Sequence, residues 1–286
     1  MCTTQMVADI VQRVGGELCE ITTLMGPGVD PHLYHPTRDD TRAIVGADLV
    51  LYSGLHLEGK MTELFERAAH TRRVVAVTGA IPKDQLLMHA GQPDPHVWMD
   101  PTLWAHTIDM VAAELTTLAP DAEATFAANA AQLHEDLLAL DSYAARVLAS
   151  VPERQRVLLT AHDAFAYFGR RYGYTVVGVQ GISTESEAGL HDLQVIVHTL
   201  VERDVPAVFI ESTIAPRNVR ALRDGAQAEG HDVRLGGSLF SDAAGPAGTY
   251  ESTYMGMIDH NVTIIARALG GAAPVRGMQD ELTAPQ

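Results

Sequence analysis

The chain has 286 residues, 47% of them hydrophobic, and carries a formal net charge of −16 at pH 7. This apolar content excludes an intrinsically disordered chain, and the length favours two domains of ordinary size over a single core. The acidic balance excludes nucleic acid and an anionic membrane surface as partners, since both bind basic patches.

The first part of the chain alternates short β-branched runs with amphipathic stretches, which is typical of βα units and a parallel sheet. After a partial strand at the start, strands are predicted at Leu18–Leu24, Asp48–Tyr52 and Val74–Val77. Helices are predicted near Gln5–Val14, Arg38–Val45, Met61–Ala69 and Pro101–Leu118. Thr37, followed three residues later by Asp40, is a typical capping arrangement for the second of these helices.

One long helix is predicted over Asp121–Ser150, which is rich in Ala, Leu, Asp and Glu and contains no Gly or Pro. Its apolar residues recur mostly every three or four positions, at Phe126, Leu133, Leu137, Leu140, Tyr143 and Val147. Such a helix is about 45 Å long at roughly 1.5 Å per residue. We interpret it as a stiff connection between the two halves of the chain.

The second part of the chain resumes the βα alternation. Strands are predicted at Arg156–Thr160, Thr175–Val179, Ala207–Glu211 and Asp232–Gly236. Helices are predicted near Asp163–Tyr172, Gly189–Arg203, Pro216–Glu229 and Thr253–Leu269, and the tail Gly270–Gln286 is predicted to fray. The sequence therefore predicts an α/β chain with an N-terminal βα lobe (residues 1–119), a linking helix (120–152) and a C-terminal βα lobe (153–286).

Three histidines and one aspartate follow predicted strands, two in each half: His32, His96, His162 and Asp242. In open α/β sheets, ligands bind beyond the carboxyl ends of the strands, where all four residues are expected. Imidazole nitrogens and carboxylate oxygens bind divalent transition metals. We therefore predict that these four residues hold one metal ion between the two lobes.

The two loops of the first half carry the same triplet, Asp30-Pro31-His32 and Asp94-Pro95-His96. A residue before proline is held extended, so each triplet presents its histidine on a restricted backbone. A ligating histidine also needs an acceptor for its other ring nitrogen. The candidate acceptors are Asp30, Asp94, Asp100, Asp163 and Glu211, of which Glu211 is the most suggestive unless it caps the next helix. His35 and His89, in the same loops, are candidates for transient metal contact.

The cysteines and the start of the chain bear on its location. Cys2 and Cys19 are interpreted as small buried residues on neighbouring strands, and a disulfide between them stays open. The first residues read as the end of a strand, so we expect the natural protein to begin further upstream with a signal that is removed. No apolar run reaches the roughly eighteen residues that a membrane-spanning helix needs.

Several segments resemble, in order, those of the TroA-like zinc/manganese solute-binding proteins, the cluster A-I receptors that deliver metal to ABC importers. These segments are LMGPGVDPHLY, LYSGLHLE, DPHVWMD, TAHDAFAYF, VFIEST and GGSLFSDA. The resemblance implies two lobes of parallel β-sheet flanked by helices and joined by one long backbone helix. It also implies an extracytoplasmic, monomeric receptor without catalytic activity, which binds one Zn²⁺ or Mn²⁺ through His32, His96, His162 and Asp242 and has an ABC permease as its partner.

The natural metal stays open between zinc and manganese. Zinc receptors of this family often carry a long His-rich loop, whereas Ile81–Pro93 is short and contains only His89. Manganese receptors often have glutamate at the third ligand, where this chain has His162. Intrinsic affinity favours zinc.

Two other functions stay open at this point. One is a zinc hydrolase, which needs an open metal position and a general base such as Glu211, and the other is a surface adhesin.

Overall fold

The computed structural model describes residues 1–186 and 189–283, and it has an α/β fold in which parallel strand pairs are flanked by helices. The first half contains α1 (Gln5–Gly15), α2 (Arg38–Gly46), β1 (Leu49–Tyr52), α3 (Thr62–Ala69), β2 (Arg73–Ala76), β3 (Met88–His89), β4 (Gln92–Pro93), α4 (Pro101–Trp104) and α5 (His106–Leu118). The long helix α6 (Glu123–Ala149) follows. The second half contains β5 (Val157–His162), α7 (Ala166–Tyr172), β6 (Thr175–Gln180), α8 (Leu190–Glu202), β7 (Ala207–Glu211), α9 (Arg217–Ala228), β8 (Arg234–Leu239) and α10 (Tyr254–Ala268).

In the first half, Met1–Thr3 lies between β1 and Thr22–Met25 and forms backbone hydrogen bonds with both, while β1 pairs in parallel with β2. Because α1 begins at Gln5, the central segment is short, and pairing on its outer side is reduced to one bridge. The prediction of a strand at Leu18–Leu24 is therefore wrong, since within that range only Thr23 forms a β-bridge.

The long helix predicted over Asp121–Ser150 is confirmed as α6, which has 27 residues and follows a turn of 3-10 helix at Pro120–Ala122. Its predicted apolar stripe is buried. The helix packs against α1, α5 and α10, so its stripe belongs to a hydrophobic core that draws on both halves of the chain. Burial along this one face holds α6 in place against both sets of helices.

The strands of the second half bring several chemically active residues to one edge. β5 pairs in parallel with β6, β7 pairs in parallel with β8, and β5 packs beside β7. The predicted strands are confirmed with shifted ends: β5 runs on to His162, and β8 runs on to Leu239. His162 thus ends β5, Glu211 ends β7, and Asp242 comes three residues after β8.

The tail Gly270–Gln286 was predicted to fray, but within its described residues, 270–283, Met278 and Leu282 attach it to the fold; residues 284–286 lie outside the described residues. The backbone N–H of Met278 donates to the buried carboxylate of Asp259 (2.7 Å), and Leu282 is buried. The prediction was wrong because a Gly- and Pro-rich composition does not show that buried acceptors elsewhere in the chain bind the tail's backbone.

Three further comparisons with the sequence concern local details. The helix predicted at Pro101–Leu118 is interrupted at Ala105, although that residue keeps helical dihedral angles (φ −56°, ψ −29°). Cys2 is buried and Cys19 is partly buried, and both are free thiols. Among the described residues, no helix combines the length and the apolar character that a bilayer crossing requires.

Candidate metal centre

The two Asp-Pro-His triplets adopt the same local structure. The N–H of His32 donates to Asp30 Oδ1, and the N–H of His96 donates to Asp94 Oδ1, both at 2.9 Å. Each is an Asx turn, in which a side-chain oxygen of the aspartate accepts the backbone N–H of the residue two positions later. The sequence identified the triplet through its proline, and the structure adds the hydrogen bond that fixes each histidine.

The other two predicted ligands are placed by the sheet of the second half. The N–H of His162 donates to Glu211 Oε1 (2.9 Å), and His162 Nδ1 lies 2.5 Å from Glu211 Oε2. Glu211 is therefore hydrogen-bonded to both the backbone and the ring of one histidine. Asp242, in the turn after β8, is buried and faces the same point.

The four predicted site residues converge. His32 Nε2 lies 3.3 Å from His96 Nε2, Asp242 Oδ1 lies 3.3 Å from His96 Nε2, and Asp242 Oδ2 lies 3.1 Å from His162 Nε2 and 3.8 Å from His32 Nε2. One ligand atom from each residue lies within 4.8 Å of the others. Donors of a tetrahedral zinc site with bonds of roughly 2.0–2.1 Å are about 3.3 Å apart. The observed spacing matches that of a coordination shell.

The ligand atoms also lack other partners. His162 Nε2 and both carboxylate oxygens of Asp242 are buried and form no hydrogen bond within the described part of the chain. Leaving such atoms buried without a partner is costly, and native proteins rarely do so without a reason. These atoms belong to the cluster of four residues, where a bound cation would give them a partner.

The charges around this centre favour a cation. Burial opposes charge on both rings, but Asp94 and Asp242 raise the pKa of His96 to about 9, and Glu211 and Asp242 raise the pKa of His162 well above its ordinary value. Burial would raise the pKa of Asp242, but the two histidines hold it well below its ordinary value. The carboxylates therefore stabilise positive charge at the centre, whether protons or a metal ion carry it.

His32 differs from the other two histidines. Burial and, to a smaller extent, the neighbouring His96 and His162 lower its pKa to about 4, although Asp242 opposes them. Its ring is therefore neutral at pH 7, which is the form that binds metal. Asp30 contacts its backbone N–H.

Two of the five predicted ring acceptors do contact a ring nitrogen. Asp94 Oδ1 lies 2.8 Å from His96 Nδ1, and Glu211 holds His162 in the same way. An acceptor at Nδ1 fixes the proton there and leaves Nε2 free as a ligand. Asp100 instead caps α4, where it accepts backbone N–H groups.

A surface cleft of about 620 Å³ lies beside the centre and is lined by residues that include His32, His56, His89 and Glu185. His89, a predicted accessory residue, is exposed on the β3–β4 hairpin, outside the cluster of four. His35, the other, is also exposed and outside it. The hairpin, which is a local pairing of Met88–His89 with Gln92–Pro93, was not predicted from the sequence. The cleft was not predictable from the sequence, because loops distant in the chain line it.

Known proteins were compared with the whole chain. The family described as zinc-uptake complex component A, periplasmic (ZnuA), matches residues 1–268. The manganese-binding lipoprotein MntA of Bacillus subtilis (strain 168) is 46% identical over 270 residues, which is 93% of this chain and 88% of that protein. The zinc-binding protein TroA of Treponema pallidum (strain Nichols) is 47% identical over 268 residues, which is 93% of this chain and 87% of that protein.

A solved structure of TroA is also similar to this chain in fold. The periplasmic zinc-binding protein TroA from Treponema pallidum superposes on this chain with a TM-score of 0.92 at 47% identity, covering 94% of this chain and 97% of the other. Sequence and fold therefore agree over nearly the full length.

Proposed function

The chain belongs to the ZnuA family of periplasmic zinc-uptake components, and we propose that it is the extracytoplasmic receptor of a metal importer. In this proposal, the chain captures one Zn²⁺ or Mn²⁺ as cargo, acts as a monomer and delivers the ion to an ABC permease. The convergence of His32, His96, His162 and Asp242 on one buried point carries the proposal. The family consists of metal-binding transport proteins, so the chain is proposed to bind its cargo without chemical change.

We propose that the metal lies between two lobes, residues 1–119 and 153–286, which 120–152 connect. Two donors come from each side, so neither lobe holds a complete site. Either lobe alone offers at most two of the four donors that a closed zinc site uses. Separation of the lobes therefore weakens binding and provides a route for release.

The cargo is a divalent transition metal, and relatives of nearly equal identity are named for zinc and for manganese. Three imidazoles and one carboxylate oxygen suit four-coordinate zinc. If both oxygens of Asp242 bind, a fifth donor becomes available, which suits manganese. Since intrinsic affinity rises from manganese to zinc, we expect the purified chain to bind zinc more tightly.

The site does not support the alternative hypothesis of a zinc hydrolase. A catalytic zinc keeps a position open for water and has a general base near it. Here both oxygens of Glu211 are hydrogen-bonded to His162, so the candidate base is already engaged. Four protein donors also close the coordination shell. Nor does any described residue mark an adhesive surface.

Calorimetric titration of the metal-stripped chain with zinc tests the proposal. We expect one site per chain. Each of His32→Ala, His96→Ala, His162→Ala and Asp242→Ala should weaken binding by roughly 100-fold or more, because each removes a direct donor. His35→Ala is the matched control, since this exposed histidine lies close to His32 in sequence and outside the cluster.

Two results would contradict the proposal. The first is unchanged affinity after any one of the four substitutions, which would exclude that residue as a ligand. The second is a stoichiometry other than one ion per chain.

A further inference from the structure

One carboxylate joins the loop of His32 to the opposite side of the cleft. Asp30 Oδ1 accepts the backbone N–H of His32 (2.9 Å), while Asp30 Oδ2 accepts the hydroxyl of Thr184 (2.6 Å). Thr184 follows β6 in the second half of the chain and is buried. The two oxygens of Asp30 therefore connect a predicted metal ligand to a residue 154 positions away.

A second contact crosses the cleft beside the first. Lys60 forms an ion pair with Glu185, and the two side chains are 38% and 48% exposed. An exposed ion pair of this kind contributes little and is screened by salt. The hydrogen bond between Asp30 and Thr184 is stronger, because its acceptor is charged and it is partly shielded from water.

The loop of His32 meets the second half at another point. A Cβ atom placed on Gly28, which has a φ of +73°, would lie 3.7 Å from the carbonyl oxygen of Ser212. The bond to Thr184 holds the loop from the side that supplies His162 and Asp242, and the loop passes next to that side at Gly28. Movement of the two sides apart must break the bond between Asp30 and Thr184.

We propose that Asp30 and Thr184 are positioning residues that form an interlobe latch and slow the release of the bound metal. The inference rests on the proposed function. Asp30 couples the closed cleft to the backbone of His32, so opening of the latch also frees the ligand loop. Since the latch forms once the two sides have met, it acts on the dissociation rate and leaves the association rate nearly unchanged.

The test uses the full chain loaded with one equivalent of zinc and mixed rapidly with an excess of a chromogenic zinc chelator in 0.15 M NaCl. Thr184→Val keeps the shape of the side chain and removes its hydroxyl. We expect release to accelerate on the order of 10-fold, the effect of losing one charge-assisted hydrogen bond. Thr184→Ser restores the hydroxyl and should release zinc within about twofold of the wild-type rate. Thr184→Ala should match Thr184→Val and replaces it if the valine variant does not fold.

Thr199→Val is the matched control, because the hydroxyl of Thr199 bonds Val195 O within its own helix, α8 (3.0 Å). It should release zinc at the wild-type rate. We also expect the effect of Thr184→Val to persist at 0.5 M NaCl, since the bond is partly buried and its donor is a neutral hydroxyl, whereas any effect of Lys60→Met should fade. Association rates should stay within about twofold for all variants.

Two results would overturn the latch. One is release from both Thr184→Val and Thr184→Ala at the wild-type rate, and the other is an equal acceleration by Thr184→Ser. A wild-type chain that binds no zinc would instead refute the proposed function, so the two failures are distinguishable.

Discussion

At the scale of single residues, two carboxylates stand behind the proposed ligands. Asp94 and Glu211 each accept from the Nδ1 of a histidine whose Nε2 faces the shared centre. They also stabilise positive charge there, as the raised pKa values of His96 and His162 show. These acceptors orient the rings before the ion arrives, which lowers the cost of binding it.

Substitution of Glu211 by glutamine tests this role. The amide can donate to His162 Nδ1, which favours a proton on Nε2 and so blocks the atom that faces the metal. We expect Glu211→Gln to weaken zinc binding by roughly 10- to 100-fold in competition titrations. Glu202→Gln is the control, since Glu202 is exposed on α8 and pairs with His198. Affinity within twofold of wild type would exclude this role for Glu211.

At the scale of elements, α6 is the element that both halves share. Leu140 is fully buried on its stripe, whereas Leu138 on the opposite side is 60% exposed. We expect Leu140→Ala to lower the free energy of unfolding by about 2–4 kcal/mol, because it leaves a cavity in the common core. Leu138→Ala should change it by less than about 0.5 kcal/mol. Urea unfolding of both variants measures the difference, and equal effects would contradict the packing of α6.

The buried carboxylate of Asp259, which binds the tail, should make the stability of the chain depend on pH. Burial raises the pKa of Asp259 from its ordinary 3.8 to about 6 in the folded chain. The folded state therefore binds a proton more tightly than the unfolded state, and the contribution of Asp259 to stability falls as the pH rises from about 4 to about 6. Asp259→Asn keeps an acceptor for the N–H of Met278 and removes this titration.

We therefore expect Asp259→Asn to gain stability relative to wild type as the pH rises from 4 to 7, by roughly 1–2 kcal/mol. Chemical unfolding of the two proteins at each pH measures the difference between them. A difference that stays constant over this range, or one that shrinks as the pH rises, would show that Asp259 does not titrate as described.

The elements also show what the sequence can and cannot predict. Hydrophobic periodicity was enough for α6 and for β5 to β7, because each has an apolar pattern of its own. β8 has the sequence RLGGSL, and its prediction was displaced by two to three residues. Periodicity failed at Leu18–Leu24, where the length of the neighbouring segment limits the pairing. It failed again at the tail, whose order depends on acceptors such as Asp259. In both places, a partner distant in sequence decides the local structure.

At the scale of the whole molecule, residue types and their positions after strands were enough to choose the four candidate ligands. The interlobe contacts were not predictable, since Asp30 and Thr184 are 154 positions apart and no pattern in the sequence pairs them. The same holds for the pairing of Lys60 with Glu185 across the cleft. Sequence reasoning identifies donor chemistry, whereas the closure of two halves on each other requires the folded chain.

Binding between the halves predicts a global stabilisation by metal. An ion that binds only the folded chain raises its stability by about 4 kcal/mol when the free ion is at roughly 1,000 times the dissociation constant. For a chain of this size, the melting temperature should rise by roughly 10 °C with zinc, and less with manganese at the same concentration. Scanning calorimetry measures the shift. His96→Ala should reduce the shift to about a third or less and His35→Ala should keep it, whereas a full shift in His96→Ala would contradict a shared site.

The most direct measurement is an anomalous difference map from crystals of the zinc-loaded chain, collected on both sides of the zinc absorption edge. The account predicts one strong peak, roughly 2.0–2.2 Å from the Nε2 atoms of His32, His96 and His162 and from at least one oxygen of Asp242. A peak elsewhere in the cleft, for example at His56 or His89, would contradict it. So would a peak at the centre that lies beyond bonding distance of any of the four residues.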